Sequence, residues 1–284
     1  MLITAAVVPG PPAFVAELMG SAAHELDDLR DAADRVLSGA LFDLAMVSAV
    51  SPPSGSDFGS GAGSVQLVVV GPGKPGEFNA AGPVSFASFG RDVVVPALVE
   101  GQPEDSELPT PIMVARYLAS RDIATHPEHA QLWASALWIT TSGRDATALG
   151  ERLGAEGTQV GLILVADGAA CHGLKAPRAQ DTRAQAYDEG VWAALASGQP
   201  SRLAQVDADM GDELGATGSQ VWPVLVAAAG AAEPVGAAGA ADAADTAGAA
   251  GVADRADTAV SEVLWAGAPY GVGWAVASWR RSCT

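Results

Sequence analysis

Cysteine, histidine and positive charge are all scarce in this 284-residue chain. Its 2 cysteines, Cys171 and Cys283, stand far apart. That excludes a disulfide framework and the paired spacing of a metal finger, and a reducing, cytoplasmic setting is the expectation. Lys and Arg together number 15 against 33 Asp and Glu, a formal net charge of −18. Neutralising phosphates needs clusters of Lys and Arg, and the only basic pair is Arg280-Arg281. Nucleic acid and anionic membrane surfaces are therefore excluded as partners. No apolar run reaches the ~20 residues that span a bilayer once Ala-Gly-rich stretches are discounted. The N-terminus lacks a basic region and meets Pro9 early, so no signal peptide is expected. No sequence period marks a repeat architecture.

What is present is a chain with 49% hydrophobic and 17% charged residues, long enough to bury one large core. Strand-like runs alternate with helical patterns. Strands are expected at 4–8, 66–70, 132–140, around 162, and at 260–265 and 272–278. Helical spacing covers 13–37, with Phe14, Leu18, Leu26, Leu29 and Val36 on its apolar face, and recurs at 112–119, 147–153, 182–195, 201–214 and 221–229. A second apolar run occupies 41–50, a Ser-Gly-Pro loop 51–64, and a hairpin turning near Gly90 is expected at 85–95. This order predicts an α/β fold with a mostly parallel central sheet flanked by helices. Residues 227–259 are nearly all Ala, Gly and Asp. They read as a flexible acidic insertion within a single 1–284 domain, because no large apolar residue anchors a face.

The most informative stretch is 161–177. An apolar run, Leu162 to Ala166, leads into Asp167-Gly168-Ala169-Ala170, small residues that let the backbone turn sharply and approach a ligand. Cys171 and His172 follow, just past the carboxyl end of the strand, where open α/β sheets place their chemistry. A tight turn with a hydrogen-bonded histidine is the plain alternative. Three other segments have the same character. The strand 4–8 runs into Pro9-Gly10-Pro11-Pro12, the strand 66–70 into Gly71-Pro72-Gly73, and Gly218-Ser219-Gln220-Val221-Trp222 opens an apolar helix.

In order and spacing these four segments resemble the class III extradiol dioxygenases of the LigB type. The branch most like this chain is a LigB-subunit-like actinobacterial one, which also shares the ending Ala268-Pro269-Tyr270-Gly271-Val272-Gly273-Trp274. The resemblance implies a LigB-like dioxygenase fold with His172 at the catalytic acid–base position. In such enzymes two histidines and a carboxylate hold ferrous iron, leaving positions open for a catecholate and dioxygen. Here those ligand positions carry Gly10, Gly73 and Gln220. Glycine donates nothing, and a neutral amide oxygen replaces a carboxylate poorly. Glu213 lies close enough in sequence to be weighed beside Gln220. The expectation is no metal and no resident cofactor, with a pocket formed by Gly10, Gly73, Asp167, Cys171, Lys175 and Gln220. Cys171 should be turned inward and inert.

Other candidates read as structure. His126-Pro127-Glu128-His129 has two histidines at a spacing able to bind metal on a helix. Proline after His126 disfavours helix there, and no third ligand stands out in sequence, so a solvated loop is expected. Asp27, Asp28, Asp31 and Asp34, interrupted by Arg30 and Arg35, read as an exposed face with local pairing. Lys175 would either hold an anionic ligand or pair with an acidic neighbour. Gly71-Pro72-Gly73-Lys74 lacks the spacing of a phosphate loop. The leading expectation is a LigB-like homologue without iron ligands, repurposed to bind a small aromatic or anionic molecule, with homo-oligomer formation left open. The alternatives are an active extradiol dioxygenase or other oxidoreductase with an unrecognised metal site, and a Memo-like protein-interaction module.

Overall fold

The computed structural model describes residues 1–50, 64–105, 107–155, 157–230 and 259–281. The loop expected at 51–64 therefore falls, up to Ser64, outside the described residues. The chain begins with β1 (Leu2–Val8), buried along its whole length. A 3-10 turn, a short α1 (Ala16–Met19) and a second 3-10 segment (Gly20–Leu26) lead into α2 (Asp27–Val50). The continuous helix expected over 13–37 is thus broken, at Gly20 with φ of 57°, and the apolar run at 41–50 is its continuation. Arg30 is not on a solvated face. It is buried, donating from Nε to Phe14 O (2.9 Å) and from Nη1 to Ala23 O (2.6 Å), which ties the irregular segment to α2.

Next come β2 (Ser64–Pro72) and β3 (Gly76–Phe78), then β4 (Val84–Ser85) and β5 (Val94–Val95) as the short hairpin. They are followed by α3 (Thr110–Thr125), α4 (Ala130–Ala134), β6 (Leu137–Thr141), α5 (Gly143–Gly154) and β7 (Thr158–Val165). The strand expected from 132 starts at Leu137 because 130–134 close a helical turn first. After β7 come α6 (Ala184–Ala196), α7 (Ala208–Leu214), α8 (Trp222–Gly230), β8 (Ala259–Gly267) and β9 (Trp274–Arg281). Residues 227–230 of the expected insertion belong to α8 and Ala259 begins β8; the rest lies outside the described residues.

Seven strands form one sheet in the order β3-β6-β2-β7-β1-β9-β8. The four central strands, β6, β2, β7 and β1, are parallel. Both margins are antiparallel, so the sheet is mixed rather than mostly parallel. The reason is connection length: β8 and β9 are joined by the few residues at 268–273, which permit only an antiparallel return. Side chains alternate across the central strands. Ala6, Val8, Val69, Ile163 and Val165 face a core shared with Leu29, Val36 and Leu37 of α2 and Ile112 and Leu118 of α3. Ala5, Val7, Val68, Val70, Leu162 and Leu164 face a second core with Leu149 of α5, Val191 of α6 and Leu225 of α8. Burial on both faces is why these strands read as continuous apolar runs.

Candidate functional site

The parallel strands deliver three of the expected positions to one edge. Val70 pairs with Leu164, and Leu164 with Val7. Three residues beyond that row lie Gly73, Asp167 and Gly10, on three neighbouring chain ends. The Gly10 N–H donates to Asp167 Oδ1 at 3.1 Å. The 3-10 turn carrying Gln220 is stitched to the same aspartate: Asp167 N–H donates to Thr217 Oγ1 (3.2 Å), and Gly218 N–H to Asp167 O (2.8 Å). Gly73 sits further out, where its N–H donates to Thr141 O of β6 (3.2 Å). Asp167 has no cationic partner among the described residues to offset its burial, and its carboxyl is pushed up to about 6, moderated by the Gly10 N–H.

His172 is held on the other side of the same loop. Its N–H donates to Gly271 O (3.0 Å), and its ring Nε2 lies 2.6 Å from Asp188 Oδ2. Asp188 is fully buried and also accepts from the Ala169 N–H, at 3.0 Å to Oδ1. Burial raises its pKa; the Ala169 N–H and the imidazole oppose that rise. Two glycines roof this carboxylate, since a Cβ at Gly168 or at Gly273 would run into it. The loops lock together: Gly168 N–H donates to Gly273 O (2.6 Å), and Gly273 N–H to Ala169 O (2.8 Å). The result is an imidazole fixed by a buried carboxylate, with the ring itself partly open to solvent.

The remaining expected residues separate. Cys171 is buried, its Sγ 3.6 Å from Leu214 O, and its thiol is raised by burial, as expected of an inert cysteine. Lys175 is exposed and has no acidic partner among the described residues, so the expected alternative of local pairing is not what the structure shows. Glu213 is committed elsewhere, in an ion pair with Arg183 at 2.8 Å.

Ferrous iron, which the resemblance implies, does not fit the residues present. Gly10 and Gly73 offer no donor, and a Cβ at Gly10 would already lie 2.8 Å from Val165 Cγ1. Any side chain at Gly10 would require Val165 to shift.

Sequence reasoning missed Asp188 and, though it noted the segment 268–274, gave Gly271 and Gly273 no place at the site. Asp188 had a signal: it shares the buried stripe of α6 with Ala184, Tyr187, Val191 and Leu195, where an unpaired charge is costly. The sequence reading also erred at His126 and His129. These are not a solvated loop: His129 is buried, with its Nδ1 3.0 Å from Asp122 Oδ2. Asp122 lies one helical turn before His126 and is the third polar partner that seemed lacking.

No family model matches the chain, and no curated protein matches it. Among the described residues no helix is long and apolar enough to cross a membrane.

Proposed function

We propose that this chain is a LigB-like homologue without the iron ligands, repurposed to bind a small aromatic or anionic molecule at the carboxyl edge of the sheet. The observation that carries the reading is the 2.6 Å contact between His172 Nε2 and a wholly buried Asp188. A buried carboxylate is costly unless it is paired and hydrogen-bonded, and this one is held by the Ala169 N–H and the imidazole. Here it sets the direction of a partly exposed imidazole, whose Nδ1 is left to meet a ligand. Asp167, protonated more readily than an ordinary aspartate, gives the same edge a second proton-bearing group.

That pairing also favours a second reading, a metal-free acid–base catalyst in which His172 and Asp167 exchange protons with a bound substrate. The interaction-module alternative would use either the acidic stretch at 227–259 or this same edge as its contact surface, and the His172–Asp188 contact does not favour it over a small ligand.

The test is a thermal-shift screen of small aromatic and anionic metabolites on wild type, His172→Ala and Asp188→Asn. A true ligand raises the melting temperature of wild type, loses its effect in His172→Ala and is weakened in Asp188→Asn. A ligand that stabilises all three equally removes His172 from the site. Turnover of the hit separates catalyst from binder.

A further inference from the structure

A second constellation stands well away from that edge. Helix α3 starts beside it, with Pro111 Cβ 4.0 Å from the Cβ position of Gly10. It then runs back along the sheet, so Asp122, eleven residues on, is about 17 Å further along the axis. At that end Asp122, His126 and His129 bring a carboxylate and two imidazoles together, their ligand atoms all within 4.8 Å of one another. Asp122 Oδ1 lies 3.4 Å from His126 Nδ1 and 3.3 Å from His129 Nδ1. The edge of a tetrahedron whose centre lies ~2.0–2.1 Å from N and O ligands is about 3.3–3.4 Å.

We infer that Asp122, His126 and His129 form a binding site for a divalent cation of the zinc type, with three protein ligands and an outward position for water. Two imidazoles and one carboxylate suit zinc and its neighbours rather than magnesium or calcium.

The surroundings support the assignment. The other carboxylate oxygen, Oδ2, accepts from the Trp133 indole Nε1–H at 2.8 Å, the kind of outer contact that orients a ligating carboxylate. The rings of His126 and His129 are stacked, 5.2 Å between centroids, so both Nδ1 atoms face the aspartate from one side. His126 caps α3 at φ −130°, ψ 73°, outside the helical region that the following proline disfavours, and the next turn brings His129 back beside it. Asp122 and His129 are buried while His126 is 40% exposed, which leaves the fourth position toward solvent. Without a cation, the His129 Nδ1–H donates to Asp122 Oδ2; metal binding displaces that proton. The Thr125 hydroxyl, 3.0 Å from His126 Nδ1, must also yield that nitrogen.

The assignment does not depend on the proposed function of His172, and its test uses different variants. The chelator-treated full-length protein is titrated with Co²⁺ and then Zn²⁺. One Co²⁺ per chain is expected, with the visible absorption of a four-coordinate ion, displaced by one Zn²⁺. His126→Ala, at an exposed ligand, should lower affinity at least about ten-fold and reduce the Zn²⁺-induced rise in melting temperature. His126→Asp should retain Co²⁺ with a shifted spectrum. His24→Ala, in an exposed turn, should bind as wild type does. No uptake by the wild type would overturn the assignment. So would uptake that is unchanged in His126→Ala, or uptake lost on replacing Gln220.

Discussion

Two aspartates in this chain are buried against a histidine, and the two pairs are built differently. At the carboxyl edge of the sheet Asp188 is clamped from above by glycine backbone and from the side by the Ala169 N–H, and it meets one imidazole through Nε2. At the far end of α3, Asp122 is clamped by an indole N–H and meets two imidazoles, both through Nδ1. A single ring held by Nε2 leaves one nitrogen pointing away, a geometry for handling a proton or a ligand. Two rings converging on one carboxylate put three possible ligand atoms within 4.8 Å of one another, a grouping suited to a cation. The same residue pair thus acquires different chemistry from what else touches the carboxylate.

The largest expected effect tests whether both carboxylates are truly held. Asp122→Ala orphans the Trp133 N–H and the His129 ring; Asp188→Ala orphans the Ala169 N–H and His172. Removing one member of a buried pair costs roughly 3–5 kcal/mol, and each variant should lose about that much in urea unfolding. Only Asp188→Ala should also remove a ligand response that depends on His172. A loss below about 1 kcal/mol in either variant would mean that the carboxylate is better solvated than its burial implies.

The two pairs also differ in how far they could be read from the sequence. His172 was legible because a strand, a run of small residues and a histidine follow one another without a gap. Its partner was not, because Asp188 arrives from a helix sixteen residues later and only the fold places it under Gly168 and Gly273. His126 and His129 were visible as a spacing, yet the proline between them argued against a site. The physics of that proline was right, since residue 126 does leave the helix. The error was to equate a helix end with a solvated loop: the chain turns back, and Asp122, one turn earlier, is already inside. In the fold, the central strands and most helices follow from apolar periodicity. The antiparallel margins depend on partner choice, which periodicity along one segment does not carry.

A pH experiment sharpens the contrast at the carboxyl edge. The folded Asp167 carboxyl keeps its proton up to about pH 6, whereas an unfolded aspartate releases it near the ordinary value of 3.8. Between those two values the folded chain binds more protons than the unfolded one. The contribution of this group is therefore fully present below the lower value and is lost as pH rises through the upper. At roughly 1.4 kcal/mol per unit, and discounted for partial solvent access, the loss is about 1–2 kcal/mol. Asp167→Asn keeps an oxygen for the Gly10 N–H and removes the titration. Stability curves of wild type and variant should converge near pH 4 and diverge by pH 7, with the variant more stable. Parallel curves across that range would show that Asp167 titrates normally.

The smallest expected effect isolates the helix that carries Asp188 from the carboxylate itself. Gly190 lies two residues further along α6, exposed, in the helical interior, and a Cβ there would meet nothing within 4 Å. Glycine in such a place costs backbone entropy on folding without a compensating close approach. Gly190→Ala should therefore stabilise the fold by about 0.5–1 kcal/mol, a rise of roughly 1–4 °C in melting temperature for a chain of this size. The substituted side chain points away from Gly168, Gly273 and His172, so the ligand response of His172 should stay as in wild type. If the melting temperature rises while that response weakens, α6 must move for His172 to meet its ligand, and the carboxylate is not the fixed anchor described above. If both are preserved or improved, the histidine is held by a rigid element, and the losses in Asp188→Ala belong to the carboxylate and not to a loosened helix.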